Sequence, residues 1–386
     1  MRTGIAETPL HGGKAPPWLF SRMVALSREI VRAIVEEYGS VEVLRRLSNP
    51  YWFQALGCVI GFDWHSSGVT TTTLGALKEG LKSINRELDI YVAGGKGGVA
   101  RNTPEQIKKY CEPVGIDALP FIYASKMSAK VDSTVLQDGY QIYAHSILFS
   151  GSGEWVVVQQ GMNKSLRYAR RYHWLGSAVK SFVVDPHAGI IADKTDGVLN
   201  LTAGDTESVR MHSVDIVKQP TTRVMSDLRE VVRIARKLDK PAQIDLFDSA
   251  ASTMSGAENR TFRMPSRHWV SYRDIHPNRL QSVLLSSYER QPESFEQLVG
   301  LEGVGTKTLR ALALMSEVIY GASPSFEDPA RFSYAVGGKD GTPYPVNTLV
   351  YDESIQILKE AIEKSKLGQS DKKDSIKRLS EYFTLS

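Results

Sequence analysis

The stretch SFEQLVGLEGVGTKTLRALALMSEVIYG, residues 294–321, combines helical spacing with a glycine-rich break. Leu298, Leu301 and Leu309 recur at the spacing of two helices joined by a tight connection. Gly303 and Gly305 flank Val304, where a tight turn leaves little room for side chains. The pattern predicts a helix, a glycine hairpin and a second helix that begins at Thr306.

This predicted element resembles the helix-hairpin-helix motif, which grips the DNA backbone without reading its sequence. Backbone N–H groups in the hairpin and in the first turn of the second helix lack intrahelical acceptors, and the helix dipole favours an anion there. One departure is Leu309, because the motif usually carries a small residue at that position. The residues expected to contact DNA in this element are Gly303, Val304, Gly305, Thr306, Lys307 and Thr308.

Composition sets broad limits on the class of protein. The 386 residues suffice for two or three domains, and 42% apolar with 23% charged residues is ordinary for a globular protein. A net charge of +4 permits a nucleic-acid partner without requiring one. Two cysteines, Cys58 and Cys111, predict a reducing cytoplasm, and the absence of a long apolar run or signal-peptide pattern predicts no membrane partner.

The order of elements predicts two domains. Alternating residues in 140–150 and 154–160, joined by Gly151-Ser152-Gly153, indicate a β-hairpin among helices. We therefore expect an α+β or α/β N-terminal domain with a mixed sheet over residues 1–240. A polar linker over 241–268 then leads to an all-helical DNA-binding domain over 269–386.

A basic and aromatic run covers residues 164–180. If it forms a helix, Arg167, Arg170 and Arg171 share one face, where they would pair with phosphates while Tyr and Trp rings stack on bases. The alternative is a solvated helix whose aromatic rings face the core. Residues 182–185 are predicted to form a strand that ends at Pro186.

Acids and histidines before the linker suggest chemistry on phosphate esters. Asp63 with His65, and Asp185 with His187, repeat an acid-x-His pattern at predicted turns, where a divalent ion could bind or a histidine could activate water. The alternative is that each histidine satisfies a turn. The predicted ligands for Mg²⁺ or Mn²⁺ are Asp63, His65, Asp138, His145 and His187, and the predicted phosphate contacts are Lys130, Gln160 and His173.

The hairpin also has a second possible use. Lys307, with Asp328 downstream, resembles the core of helix-hairpin-helix DNA glycosylases, in which the lysine attacks the sugar and the aspartate steadies a cationic transition state. The helical scaffold that surrounds this core in glycosylases would have to lie where the predicted linker intervenes. A glycosylase or lyase is therefore an alternative to a nuclease.

Several segments together resemble an archaeal and bacterial family known as domain of unknown function 763. They include WFQALGCVIGFDWHSSGVTTT, KVDSTVLQDGYQIYAHS, EWVVVQQGMN and ARRYHWL. The resemblance implies one architecture with a DNA-binding module near its end, in microbial cytosol, and it supplies no catalytic residues. The leading expectation from the sequence is a metal-dependent endonuclease in DNA repair or recombination; a non-enzymatic DNA-binding scaffold is the second.

Overall fold

The structure is a computed structural model that describes residues 15–61, 68–163, 168–192, 198–238, 275–331, 348–366 and 368–384. The chain forms two compact units. Unit 1 comprises Met1–Ser133, Tyr140–Thr195 and Pro329–Ser386, and unit 2 comprises Thr134–Gly139 and Asp196–Asp328. None of the described helices is both long and apolar enough to cross a membrane.

Unit 1 begins with helices and continues with the strands of its sheet. The helices of its N-terminal part are α1 (Pro17–Tyr38), α2 (Ser40–Ser48), α3 (Pro50–Val59), α4 (Val69–Leu81) and α5 (Asn85–Leu88). Strand β1 (Tyr91–Lys96) is followed by α6 (Gly98–Arg101), α7 (Thr103–Cys111) and α8 (Leu119–Thr134). After β2 (Leu136–Gln137), which belongs to unit 2, come β3 (Gln141–Phe149), β4 (Trp155–Asn163), β5 (Tyr168–Leu175) and β6 (Gly189–Ala192).

The remaining elements are mostly helical. Unit 2 continues with β7 (Leu199–Asn200), α9 (Glu207–Val217), α10 (Thr221–Leu238), α11 (Pro277–Arg290), α12 (Phe295–Gly300) and α13 (Thr306–Tyr320). Helices α14 (Thr348–Lys364) and α15 (Gln369–Thr384) return to unit 1, where Leu358, Ile362 and Leu379 join its main core.

The sheet of unit 1 has five strands in the order β1-β3-β4-β5-β6. Every pairing among these strands is antiparallel, so the expectation of a mixed sheet is wrong for the described residues. The predicted hairpin is confirmed: β3 and β4 pair across residues 150–154, with Phe149 opposite Trp155. At the edge, Gly94 has φ +101°, and a Cβ there would lie 2.3 Å from the carbonyl oxygen of His145, so only glycine lets β1 approach β3 this closely.

Helices cover both faces of this sheet. Leu148, Val156 and Val158 belong to the core formed with α1–α4, whereas residues on the other face contact α8, as in the stacked rings of Phe121 and Phe149 at 4.5 Å. Since both faces are covered, strand residues are buried in succession and do not alternate with exposed ones. Six consecutive residues of β5, Ala169 to Trp174, are buried.

Two local expectations are wrong. Residues 168–175 form a strand and not a helix, because both faces of β5 bury side chains and aromatic residues suit a covered sheet. Arg170 and Arg171 therefore point to opposite faces, while Arg167 lies outside the described residues. No strand forms over 182–185; the chain turns there, and Asp185 has φ +40° immediately before Pro186.

The compact units also differ from the expected domain boundaries. Helices α9 and α10, expected in the N-terminal domain, group with α11–α13, whereas α14 and α15 group with the N-terminal helices. The whole of the expected linker, residues 241–268, lies outside the described residues.

Candidate functional sites

The first candidate site is the bend between α12 and α13. The Ser294 hydroxyl caps α12 by accepting a hydrogen bond from the Gln297 N–H at 3.2 Å. Gly303 has φ +84°, and a Cβ there would lie 3.2 Å from a methyl group of Val283 on α11. Val304 is completely buried, as are Leu298 and Leu309. The bend is therefore anchored in the core of unit 2 by the side chain at its apex.

The backbone of this bend has unused donors. Within the described part of the chain, the N–H groups of Gly303, Gly305 and Lys307 donate no hydrogen bond, whereas the Leu309 N–H donates to the Gly305 carbonyl at 3.0 Å. Gly303 and Lys307 are exposed, and Gly305 is half-buried. These donors lie at the start of a helix of 15 residues. Such a helix start attracts anions.

Other residues of the predicted DNA contact lie inside unit 2. The Thr306 carbonyl accepts a hydrogen bond from Gln137 Nε2 at 3.0 Å, and Arg310 donates to Gln137 Oε1 at 3.1 and 3.0 Å. Thr308 is buried. These contacts fix the first turn of α13 against β2 and leave Lys307 as its exposed cation. Asp328, the predicted glycosylase partner, is half-buried.

The second candidate site is a buried polar network between α8 and the sheet. At its centre, the carboxylate of Asp132 is fully buried and accepts hydrogen bonds from three side chains. The donors are His187 Nε2 at 2.5 Å, Trp174 Nε1 at 2.9 Å and Gln159 Nε2. A buried carboxylate needs such donors because its desolvation is otherwise very costly.

The network fixes the protonation of His145. Gln159 Nε2 donates to Asp132 and to the Ser128 carbonyl at 3.0 Å, so its Oε1 faces His145 Nδ1 at 2.8 Å. Nδ1 of His145 therefore carries the proton, and its Nε2 accepts from the Ser125 hydroxyl at 2.8 Å. His145 is buried and serves to join β3 to α8.

His187 occupies the outer end of the same network. Its Nε2 donates to Asp132, and within the described residues its Nδ1 has no hydrogen-bond partner. The ring lies 4.7 Å from that of Trp174, edge to face, and its side chain keeps 7% of its exposure. This histidine is oriented by the protein and retains one unused ring nitrogen.

A separate polar network lies on the opposite face of the sheet. Arg171 is fully buried and donates to His173 Nε2 at 2.8 Å, to Gln54 Oε1 at 3.0 Å and to the Pro50 carbonyl at 3.3 Å. His173 Nδ1 donates to the Leu47 carbonyl at 2.9 Å. The ring is therefore neutral, with its proton on Nδ1.

The predicted site residues are consequently dispersed. His145 and His187 connect to Asp132, but His173 and Gln160 lie on the other face of the sheet, as their pairing with Val158 and Arg171 requires. Asp138 is buried and belongs to unit 2, and Lys130 is half-buried on α8, where burial lowers its pKa. Asp63 and His65 lie outside the described residues.

Two of the three arginines predicted to contact DNA have partners inside unit 1. Arg170 is buried with its guanidinium 4.9 Å from the centre of the Tyr140 ring, and Arg171 holds β5 against α3. The basic run had suggested a nucleic-acid surface because arginine is rarely buried. Neither residue is carried into the interface proposed below.

The described residues do not assemble the predicted metal site. Among them, no three His, Cys, Asp or Glu side chains gather as a metal ion would require. Two of the five predicted ligands lie outside this part of the chain. No reaction step is therefore derived through a metal.

The signal for Asp132 in the sequence is weak. Ser125, Ser128 and Asp132 recur at helical spacing on α8. Polar residues within the apolar face of a helix indicate a buried hydrogen-bond network. In α8 the apolar and polar positions are not sharply separated, so such a face cannot be recognised from the sequence. Gln159, on the facing strand, takes part in a structural hydrogen-bond network with His145 and the Ser128 carbonyl.

Together the fold and these sites define a protein of helices and a five-stranded antiparallel sheet, with an exposed glycine bend and a carboxylate-held histidine. The chain belongs to the family described as "Protein of unknown function (DUF763)", whose model matches residues 4–346. Comparison with curated proteins and with solved structures found no match.

The two neutral histidines predict how stability depends on pH. Burial lowers the pKa of His145, and burial together with the neighbouring Arg171 guanidinium holds the pKa of His173 well below its usual range. The unfolded chain therefore binds more protons as the pH falls below about 6.5, and the folded state loses stability there. Each histidine contributes a loss of up to about 1.4 kcal/mol per pH unit.

Urea unfolding at a series of pH values, followed by near-ultraviolet circular dichroism, measures this slope. His173→Gln is expected to reduce the slope, because it removes a fully buried ring whose pKa lies well below its usual range. An equal slope in the wild type and in His173→Gln would contradict the assignment of a neutral, buried His173.

Proposed function

We propose that the protein binds the phosphate backbone of DNA through the bend between α12 and α13, acting as a helix-hairpin-helix element. The single observation that carries the proposal is that, in the described part of the chain, the N–H groups of Gly303, Gly305 and Lys307 donate no hydrogen bond. A phosphate oxygen accepts such hydrogen bonds, and the bond is strengthened by the charge of the acceptor.

The charges around the bend support an anionic ligand of this kind. Lys307 is exposed within the first turn of α13, where the helix dipole and the ammonium group act in the same direction. Glu302 is also exposed beside the bend and opposes them, which limits affinity. Backbone donors approach any nucleotide alike, so this contact is expected to be independent of base sequence.

The buried Val304 supports the proposal in another way. Its side chain is completely buried, so the adjoining amides are held in place before a ligand arrives. A preorganised site loses little conformational entropy on binding. The bend is therefore suited to bind the phosphate backbone with modest affinity and in a fixed geometry.

A second function is a nuclease activity of unit 1. The observation that favours it is His187, since a histidine held by a buried carboxylate is a suitable general base and is also the form in which histidine commonly binds metals. This nuclease would require Mg²⁺ or Mn²⁺ and would act in DNA repair or recombination.

We expect the affinity for DNA to fall as the salt concentration rises and to fall when the charge of Lys307 is removed. Lys307→Gln removes one phosphate contact, so affinity for a short duplex at low salt should fall about tenfold. The slope of log affinity against log salt should become shallower by about one. Fluorescence anisotropy with a labelled duplex measures both quantities.

Two further variants serve as controls for this experiment. Lys373→Gln makes the same charge change at an exposed position on α15 in unit 1 and should leave affinity nearly unaltered. Glu302→Gln removes the opposing charge and should strengthen binding. If Lys307→Gln and Lys373→Gln weaken binding equally, binding follows net charge and the bend has no special part in it.

The nuclease proposal predicts that supercoiled plasmid is nicked in Mg²⁺ or Mn²⁺ and left intact in EDTA. Gel electrophoresis of the plasmid after incubation with the full-length protein distinguishes a nuclease from a protein that only binds DNA. Binding of DNA without cleavage under any of these conditions would support a non-enzymatic scaffold and overturn the nuclease.

A further inference from the structure

We propose that Gln137 is a positioning residue of the bend between α12 and α13, and that it acts through the peptide group that joins Thr306 to Lys307. This inference rests on the first proposed function, the binding of the DNA backbone by the bend. It deepens that function by naming the side chain that sets the direction and the strength of one phosphate-binding donor. It does not depend on the nuclease activity.

The hydrogen bond between Gln137 and the Thr306 carbonyl fixes the direction of a peptide group. Gln137 is buried, and its Nε2 donates to the Thr306 carbonyl oxygen at 3.0 Å. This carbonyl and the N–H of Lys307 belong to one planar trans peptide unit, in which the C=O and N–H bonds point in opposite directions. A carbonyl held against a buried side chain therefore directs the Lys307 N–H away from that side chain.

The N–H of Lys307 is available to a ligand. Within the described part of the chain it donates no hydrogen bond, and Lys307 is exposed. Hydrogen bonds in a chain polarise one another, so a peptide group whose carbonyl accepts a hydrogen bond has a stronger N–H donor. Gln137 thus orients the donor and also strengthens its bond to a phosphate oxygen.

Gln137 is itself held in a single orientation. Its Nε2 also donates to the Thr134 carbonyl at 3.0 Å, and its Oε1 accepts two hydrogen bonds from the Arg310 guanidinium, at 3.1 and 3.0 Å. These bonds use both N–H groups of the amide and both lone pairs of its oxygen. A flipped amide would place its N–H groups against the donors of Arg310, so only this orientation is satisfied.

A purely structural role explains this residue less well. Gln137 lies in the short strand β2, where it pairs with Leu199, and it is 169 residues before Thr306 in the chain. An apolar side chain could pack there without any requirement for hydrogen-bond partners, whereas a buried amide destabilises the fold unless its polar atoms are bonded. The amide is explained if its bond to the first turn of α13 has a function.

The two contributions of Lys307 to phosphate binding can be separated by substitution. Lys307→Gln removes the ammonium group and keeps the N–H, whereas Lys307→Pro removes both. Proline is tolerated in the first turn of a helix, because the N–H that it lacks has no intrahelical acceptor there. Helix α7 of the same chain begins with Thr103-Pro104, the order of residues that Lys307→Pro creates in α13.

Binding of the full-length protein to a labelled short duplex at low salt, followed by fluorescence anisotropy, tests the proposal. Gln137→Met replaces the amide by an apolar side chain of similar size. It should weaken binding about three- to tenfold, the effect of losing one well-oriented hydrogen bond to a charged acceptor. The slope of log affinity against log salt should not change, because the charge of Lys307 remains.

A double-mutant cycle distinguishes positioning from a general effect on the fold. Lys307→Pro should bind the duplex about threefold or more weakly than Lys307→Gln, since it lacks the N–H donor as well as the charge. Gln137→Met should then have no further effect in the Lys307→Pro protein, because the peptide group on which Gln137 acts has no N–H to direct.

Gln219→Met is the matched control. The Gln219 side chain also donates from Nε2 within unit 2, to the hydroxyl of Tyr320 at 3.3 Å, at the opposite end of α13. This variant should keep wild-type affinity. Near-ultraviolet circular dichroism reports whether each variant keeps its aromatic packing. If Gln137→Met does not fold, Gln137→Asn takes its place, since its amide is drawn back from the Thr306 carbonyl by one methylene group.

The outcomes separate the inference from the function on which it rests. Equal affinity of the wild type and a folded Gln137→Met variant would overturn the positioning role and leave DNA binding by the bend standing. A loss that Gln137→Met causes equally in the Lys307→Pro protein would overturn it too, as would equal affinity of Lys307→Pro and Lys307→Gln. A wild type that does not bind the duplex would overturn the proposed function and the inference together.

Discussion

The buried carboxylate of Asp132 is the constraint on which the organisation of unit 1 depends. It is fully buried, and its two oxygens accept from an imidazole, an indole and an amide. Leaving such a group without one of its donors typically costs about 1–3 kcal/mol and more when the group is charged. The donors come from β4, β5 and the loop before β6, so one acid ties α8 to three successive parts of the sheet fold.

The same sheet carries two polar networks with different consequences. On the α8 face, Asp132 connects inward to His145 and outward to His187. On the other face, Arg171 and His173 are satisfied by neutral acceptors and by each other, deep in the helical core. Among the described residues, only the first network contains a histidine nitrogen without a hydrogen-bond partner, Nδ1 of His187, and the proposed nuclease activity is therefore assigned to that network.

Each unit carries a candidate feature of its own. Unit 2 offers backbone donors on a rigid bend, which suit any phosphate backbone. In unit 1 the buried carboxylate of Asp132 orients His187, on which the proposed nuclease activity rests. Each proposal is carried by its own observation, and neither requires the other.

Much of the local structure could be predicted from the sequence. The turn Gly151-Ser152-Gly153 specified the β3–β4 hairpin, and the glycines around Val304 specified the bend between α12 and α13, because in both cases the signal is local. The basic run over β5 led to the wrong prediction of a helix. Its arginines are spaced as on one face of a helix, but they are buried by elements that are distant in the chain. The grouping of helices α14 and α15 with unit 1 also depends on long-range packing, which cannot be predicted from the local spacing of residues.

The candidate chemistry was predicted only in part. His187 was identified by an acid-x-His pattern, but the acid of that pattern, Asp185, is not its partner. The partner is Asp132, 55 residues earlier in the chain. A pairing of this kind depends on how α8 lies across the sheet, and the sequence around either residue contains no information about it.

The central claim is that Asp132 holds His187 with its proton on Nε2 and its Nδ1 unprotonated. Two-bond ¹H–¹⁵N correlation spectra of histidine-labelled protein at alkaline pH measure this directly, with the His187 signals assigned by their loss in His187→Ala. The account predicts a protonated Nε2 and a pyridine-type shift for Nδ1. A His187 ring protonated at Nδ1, or one that exchanges rapidly between the two forms, would contradict it.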